Sequence, residues 1–188
     1  MNILEVNLGK KKIKIHIRHM RKDDVDGIWN NFNEVVEEGN YLPVFIPVRS
    51  QLEKSSWYQN VKSDNEIVIV AENPKLKSPH NILGQCEISN IEWDAAEHVG
   101  NLGIIVQKKY RDFGLGYALM DFAIKEAKRI NNKKKIILSC FASNERALYL
   151  YKKFGFKQIG VRKKQFFIDD EYYDEILMDL WIGDENED

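Results

Sequence analysis

Residues 106–117 read Val-Gln-Lys-Lys-Tyr-Arg-Asp-Phe-Gly-Leu-Gly-Tyr and form the stretch best suited to chemistry. An apolar run, Leu102 to Val106, leads in, and Leu115, Leu119, Phe122, Ala123 and Ile130 lead out on one face at helical spacing. The first N–H groups of a helix have no internal partner, and the helix dipole adds partial positive charge there. Gly114 and Gly116 carry no Cβ, so the main chain between strand and helix can approach a ligand closely. Such a turn suits a phosphate or pyrophosphate. A strand-to-helix turn that uses glycine for shape alone is the other reading.

Neither common nucleotide pattern fits. A P-loop needs Lys-Ser/Thr after its last glycine, whereas Tyr117-Ala118 follow Gly116. A dinucleotide fingerprint needs three glycines in an early βαβ unit. Arg111-x-x-Gly114-x-Gly116 instead resembles the acetyl-CoA signature of the GNAT N-acetyltransferases, Gln/Arg-x-x-Gly-x-Gly/Ala. Downstream, after a helix and a strand, Asn144-Glu-Arg-Ala147-Leu-Tyr-Leu150-Tyr151-Lys-Lys-Phe-Gly155-Phe156 resembles that family's Asn-x-x-Ala-x-x-Leu-Tyr-x-x-x-Gly-Phe. The resemblance spans roughly Ile13 to Trp181 in element order and is specific from about His98 onward, nearest in motif to the small-molecule and amino-acid members.

The resemblance implies a mixed α/β fold with a mainly antiparallel sheet, splayed at an acetyl-CoA site and flanked by about four helices. Main-chain groups of Arg111, Asp112, Phe113, Gly114, Leu115, Gly116 and Tyr117 would hold the pyrophosphate. Those of Ile104, Ile105 and Val106 would pair with the pantetheine and polarise the thioester carbonyl. Tyr151 matches the helix tyrosine that reaches the sulfur as an acid, although it shares a face with Phe154 and could be core. Asn144 matches a cofactor contact and could equally cap its helix. His98-x-Gly100-Asn101-Leu102-Gly103 resembles a pattern in which a glutamate often stands at the Asn101 position. Asn101 cannot take a proton, which leaves Glu87 on the neighbouring strand, or water past His98, as base. His98 could also be an ordinary surface or core residue.

The implied reaction is attack of a neutral amine on a thioester. A lysine-like amine, with pKa roughly 10.4, costs about 4–5 kcal/mol to neutralise at pH 7, and an α-amine about 1. Base assistance therefore matters most for alkylamines, and acid assistance on the thiolate is worth about 10²-fold. No Ser-His or Cys-His pairing points to a covalent intermediate.

These groups need a scaffold. The chain has 188 residues, 44% hydrophobic and 30% charged, enough for one globular domain, with an ordered core expected over 13–182. A net charge of −1 gives no global field for nucleic acid or membrane. The basic runs at Lys10–Lys12, Lys133–Lys135 and Arg162–Lys164 and the acidic run at Asp184–Asp188 read as solvated surface. Cys86 and Cys140 lie in apolar runs and read as buried free thiols. With no signal peptide or long apolar span, a cytoplasmic protein is expected.

In chain order, Ile13 to Met20 alternates as a strand. Asp23 or Asp24 can cap the helix carrying Val25, Ile28, Trp29, Phe32, Val35 and Val36, which Gly39 ends. Asn40 to Arg49 is a loop broken by Pro43 and Pro47. Its apolar Tyr41, Leu42, Phe45 and Ile46 either cover the core or line a substrate pocket, Tyr41 and Phe45 being the acceptor-site candidates. Gln51 to Val61 is a weaker helix and Ile67 to Ala71 a strand. Ile82–Ile91 and His98–Val106 form an antiparallel pair, and Ile136–Phe141 is a short buried strand. Phe156–Phe167 and Tyr172–Ile182 close the sheet. The expected order is β-α-α-β-β-β-α-β-α-β-β, with Met1–Lys12 and Gly183–Asp188 as loose ends.

Taken together, the sequence implies an acetyl-CoA-dependent N-acetyltransferase, monomer or homodimer, without metal. The expected acceptor is a small primary amine such as an amino acid or polyamine. A protein lysine or N-terminal amine, or a non-catalytic acyl-CoA-binding module, is the alternative.

Overall fold

The computed structural model describes residues 2–8, 11–39 and 41–184. Its strands are β1 (Asn2–Leu8), β2 (Lys11–His19), β3 (Ile67–Glu72), β4 (Ile82–Asn90), β5 (Val99–Val106), β6 (Lys135–Phe141), β7 (Lys157–Ile168) and β8 (Glu171–Trp181). The helices are α1 (Val25–Glu37), α2 (Gln51–Ser63), α3 (Leu115–Asn131) and α4 (Glu145–Phe154). One eight-stranded sheet runs β1-β2-β3-β4-β5-β6-β8-β7. Every neighbouring pair is antiparallel except β5 and β6.

The sheet buries both faces, so β3 is almost continuously apolar and β4, though it carries Gln85 and Glu87, is almost continuously buried. Ile15, Ile17, Ile69, Cys86 and Ile88 pack on one face with Leu119, Met120 and Ala123 of α3 and Tyr151 of α4. On the other face Val68, Val70 and Ile82 meet Ile28 of α1 and Val61 of α2. The exception to the antiparallel rule positions the site. β5 and β6 are in register only over Val99, Gly100 and Asn101 against Lys135, Ile136 and Ile137. From Leu102 onward β5 keeps its ladder to β4 but has none to β6. The sheet therefore opens as the splayed arrangement expected from the sequence.

Several expectations are corrected. The first residues are not a loose end: β1 pairs along its whole length with β2, and Val6 is buried. The structure thus adds one strand at the start of the expected order. Residues 1, 9, 10 and 185–188, with the parts of the expected loose ends and charged runs that fall on them, lie outside the described residues, as does Asn40. Asp24 precedes α1 but makes no side-chain cap. Its carboxylate is buried against Arg18, at 2.6 and 2.9 Å, and accepts from the Arg21 N–H at 2.7 Å. Arg18 also reaches Glu72 at 2.9 Å. Lys133 is not solvated surface: it is 3% exposed, and its Nζ donates to Asn90 Oδ1 and the Glu97 carbonyl, both at 2.7 Å. Burial lowers the pKa of that amine. On α3 the buried stripe runs Leu115, Leu119, Met120, Ala123, Ile124 and Ala127. Ile130 falls in the last turn and is 41% exposed.

Candidate active site

A groove of about 580 Å³ runs through the opening between β5 and β6. On one side lie Val35 of α1 and the loop residues Tyr41, Leu42 and Pro43; on the other lie Tyr117 of α3 and Tyr149, Leu150, Tyr151 and Lys153 of α4. Its floor is the β5 edge, Leu102 to Val106, with Ser139, Cys140 and Phe141 of β6 opposite. A smaller cavity of about 150 Å³ opens on the α1/α2 side and shares Leu42, Gly103, Ile104 and Ile105 with the groove. The two spaces therefore meet along β5.

The turn into α3 has the conformation its glycines allow. Gly114 is the N-cap of α3 with φ 79°, and Asp112 also lies in the left-handed region at φ 67°. A branched or bulky residue at Gly114 would be strained there. No side chain caps α3, whereas Ser50 caps α2 and Asn144 caps α4. Gly116 serves a different purpose: a Cβ there would lie 3.1 Å from Leu150 Cδ2, so its absence lets α3 and α4 pack closely at the groove. An uncapped helix start beside a left-handed turn leaves main-chain N–H groups that could hold an anion such as a diphosphate.

Of the residues expected at the cofactor, Ile104, Ile105, Val106, Arg111, Asp112, Gly114, Gly116, Tyr117 and Asn144 all line the groove. Phe113 and Leu115 do not. Phe113 is 41% exposed, and the Leu115 side chain is in the core. The Arg111 guanidinium faces protein: it donates to both Glu38 oxygens at 2.7 and 2.5 Å, and through Nε to the Val106 carbonyl at 2.8 Å. It also lies 4.8 Å from the centre of the Tyr41 ring. Arg111 thus ties the turn before α3 to the end of α1 and the loop after it. Asn144 Oδ1 accepts from the Ala147 N–H at 3.1 Å, so the capping reading holds while the residue also lines the groove.

Two cations the sequence reading did not single out border the groove, Arg146 and Lys153. They stand seven residues apart on α4, two turns along one face, and that spacing was available in the sequence. Arg146 pairs with Asp112 at 3.1 Å across an exposed contact.

Tyr151 is 6% exposed and lines the groove, with its ring 6.0 Å from that of Phe156. Burial, with Cys140 and Cys86 nearby, pushes its phenol pKa well up, so the group stays protonated. Cys140 is not a fully buried thiol: it is half-buried and lines the groove, and burial raises its pKa to about 11. Tyr149 is 70% exposed at the groove's rim. Glu87 stands opposite Gly103 in the β4–β5 ladder and lines the smaller cavity. A Cβ at Gly103 would lie 3.2 Å from Glu87 Oε1 and 3.4 Å from Cγ. Glycine leaves the carboxylate room to lie over β5. Burial, then the charge of Glu66, raises the Glu87 pKa to about 7. His98 and Asn101 are exposed at the paired end of β5, and neither lines these spaces. In the expected acceptor loop Tyr41 lines the groove, whereas Phe45 is 68% exposed and lines neither cavity.

Comparison with known proteins points the same way. Residues 34–156 match the model of the acetyltransferase (GNAT) family. The chain is 29% identical over 158 residues to an N-alpha-acetyltransferase from Sulfurisphaera tokodaii, covering 84% of this chain and 89% of that one. It is 30% identical over 98 residues to an L-amino acid N-acetyltransferase from Escherichia coli, covering 52% and 60% respectively. Among solved structures it resembles an N-acetyltransferase from Staphylococcus aureus, with TM-score 0.81, 22% identity and coverage of 89% and 98%. It also resembles a phosphinothricin acetyltransferase from Sinorhizobium meliloti in complex with AcCoA, with TM-score 0.79, 18% identity and coverage of 90% and 89%.

Proposed function

We propose, from the premise that this chain belongs to the acetyltransferase (GNAT) family, that it transfers an acetyl group from acetyl-CoA to the primary amine of a small molecule, in the cytoplasm. The observation that carries this reading is the meeting of two spaces along Gly103–Ile105, one lined by Tyr151 and the other by Glu87. A donor that stays protonated and a carboxylate with a pKa of about 7 thus flank one strand edge.

The cosubstrate would lie with its diphosphate on the main chain of residues 111–117 and its amide-bearing arm along the open edge of Ile104–Val106. Arg146 and Lys153 add positive charge at the rim. When bound, acetyl-CoA supplies an activated acetyl thioester. The amine nitrogen bonds to the carbonyl carbon and the carbon–sulfur bond breaks. Glu87 takes the proton that the amine must lose, directly or through one water. Its pKa near 7 suits that task at neutral pH. Tyr151 has a pKa above that of a thiol, so it stabilises the departing sulfur by donating a hydrogen bond. The proton released to Glu87 or solvent balances the thiolate.

Calorimetry with acetyl-CoA, followed by release of free CoA thiol with panels of small amines and of peptides, tests the reading. Binding and turnover with small amines are expected. Turnover confined to peptides would move the acceptor to a protein amine, the reading that the likeness to an N-alpha-acetyltransferase supports. Binding without turnover on any amine would favour an acyl-CoA-binding module.

A further inference from the structure

A fixed charged cluster stands where α2 hands over to β3, and the transfer step above does not use it. Glu66 comes one residue before β3, and its N–H donates to the Val61 carbonyl of α2 at 3.0 Å. Its Oε1 accepts from the Asn90 N–H at the end of β4, also at 3.0 Å. Asn90 is held on two further sides: its Nδ2 donates to the Asp64 carbonyl at 2.8 Å, and its Oδ1 accepts from the buried Lys133 Nζ at 2.7 Å. The half-buried Glu66 is therefore pinned at both its main chain and its carboxylate.

The register of β3 on β4 sets this carboxylate beside Glu87. Val68 lies opposite Glu87, and Ile67 opposite Ile88. Side chains alternate along a strand, so Glu66 shares a face with Val68 and falls diagonally across from Glu87. Residues so related lie about 7–8 Å apart. That face packs Val68 and Val70 against Ile28 and Val61, and Glu87 lines the smaller cavity on the same side. The residues of α1, α2, β5 and the Leu42 loop that line the cavity with it carry no charge, nor does Gln85. Glu66 is thus the charge that acts on Glu87. Around Glu66 itself, burial raises the pKa and the Asn90 N–H opposes it; Asp64 raises it further and Lys133 opposes. A negative charge at such a distance, partly screened from water, disfavours a second one. It makes the ionised Glu87 the stronger base, since basicity follows the pKa of the conjugate acid.

We propose that Glu66 is a positioning residue for the transfer: without touching either substrate, its pinned carboxylate supplies the charge that matches Glu87 to proton removal near neutral pH. The assignment rests on the acetyltransferase reading above, with Glu87 as the base.

Glu66→Gln removes the charge and keeps an oxygen for the Asn90 N–H. Glu66→Asp keeps the charge on a shorter arm. Each is compared with the wild type and Glu87→Gln in two pH series. One follows the Glu87 carboxyl by carbon-detected NMR in the protein alone. The other follows kcat/KM with leucine, leucinamide and putrescine, using whichever is acetylated fastest; the amine's own ionisation is common to all variants and cancels in the comparison. In Glu66→Gln the NMR midpoint and the acidic limb of kcat/KM should both move to lower pH by about one unit. The plateau should fall about 3-fold, as expected of a weaker base. Glu66→Asp should restore both midpoint and limb. A merely structural Glu66 would lower activity and leave the limb in place. A Glu87 midpoint unmoved by Glu66→Gln overturns the proposal. A midpoint that moves while the limb stays, or a limb that survives in Glu87→Gln, overturns the base assignment and the proposal with it. Turnover of none of the amines overturns the transfer reading and the role of Glu66 within it, whereas the substrate-free titration still shows whether the charge acts.

Discussion

The same environment shifts Tyr151 and Glu87 in the same direction, with different results. Burial disfavours the charged form of any acid. It keeps the Tyr151 phenol protonated and brings the Glu87 carboxyl to about 7. Tyr151→Phe should therefore lower kcat by about 10²-fold with acetyl-CoA affinity retained, as single-turnover kinetics and calorimetry would show. Glu87 must be ionised to accept a proton, so kcat/KM should rise with pH through about 7, and Glu87→Gln should remove that limb of the profile. Stability has the opposite sign. Between pH 4.5 and about 7 the folded carboxyl holds a proton that the unfolded chain has lost, so stability falls as pH rises across that window and then levels off. Glu87→Gln should stabilise the fold by up to about 3 kcal/mol at pH 8 and hardly at pH 4, readable in urea titrations. At this scale the sequence was informative about place where a residue type recurs at fixed spacing: Tyr151, Gly114 and Gly116 all line the groove. It was silent on Glu66, because nothing local reveals that the start of β3 comes to lie beside Glu87 of β4.

The helices and strands were largely legible, since alternation and helical spacing are local signals. What they do to one another was not. Arg111 looks like part of a phosphate signature, yet its fork is closed on Glu38, 73 residues earlier. That clamp joins the turn before α3 to the loop bearing Tyr41, so Arg111→Ala should raise the KM for both substrates, whereas loss of a phosphate contact alone would raise only that of acetyl-CoA. The register of β4 on β5 is equally non-local. It sets Glu87 against Gly103, and Gly103→Ala should displace the carboxylate, lowering kcat with acetyl-CoA affinity unchanged. Lys133 was misplaced for the same reason, because a lysine run reads as surface until Asn90 and the Glu97 carbonyl are found over its amine.

Across the whole molecule, stability rests on the sheet's two packed faces and on a buried charge network near its second strand. Arg18 reaches both Asp24 and Glu72 while almost wholly buried. Arg18→Met leaves Asp24 unpaired and should cost about 3–5 kcal/mol, a fall in Tm of roughly 10 °C. β1 escaped the sequence reading because a seven-residue segment at a chain end carries little signal until its partner strand is placed beside it. The seam between β5 and β6 has a wider consequence. Three residue pairs join them, and beyond those the two blades share no ladder. A molecule that lay along the open edge would serve as the missing rung between them. The catalyst would then be mechanically complete only while loaded: amide hydrogens of residues 102–106 and 138–141 should exchange with deuterium markedly more slowly once acetyl-CoA is added, and those of the distant β1–β2 hairpin should not.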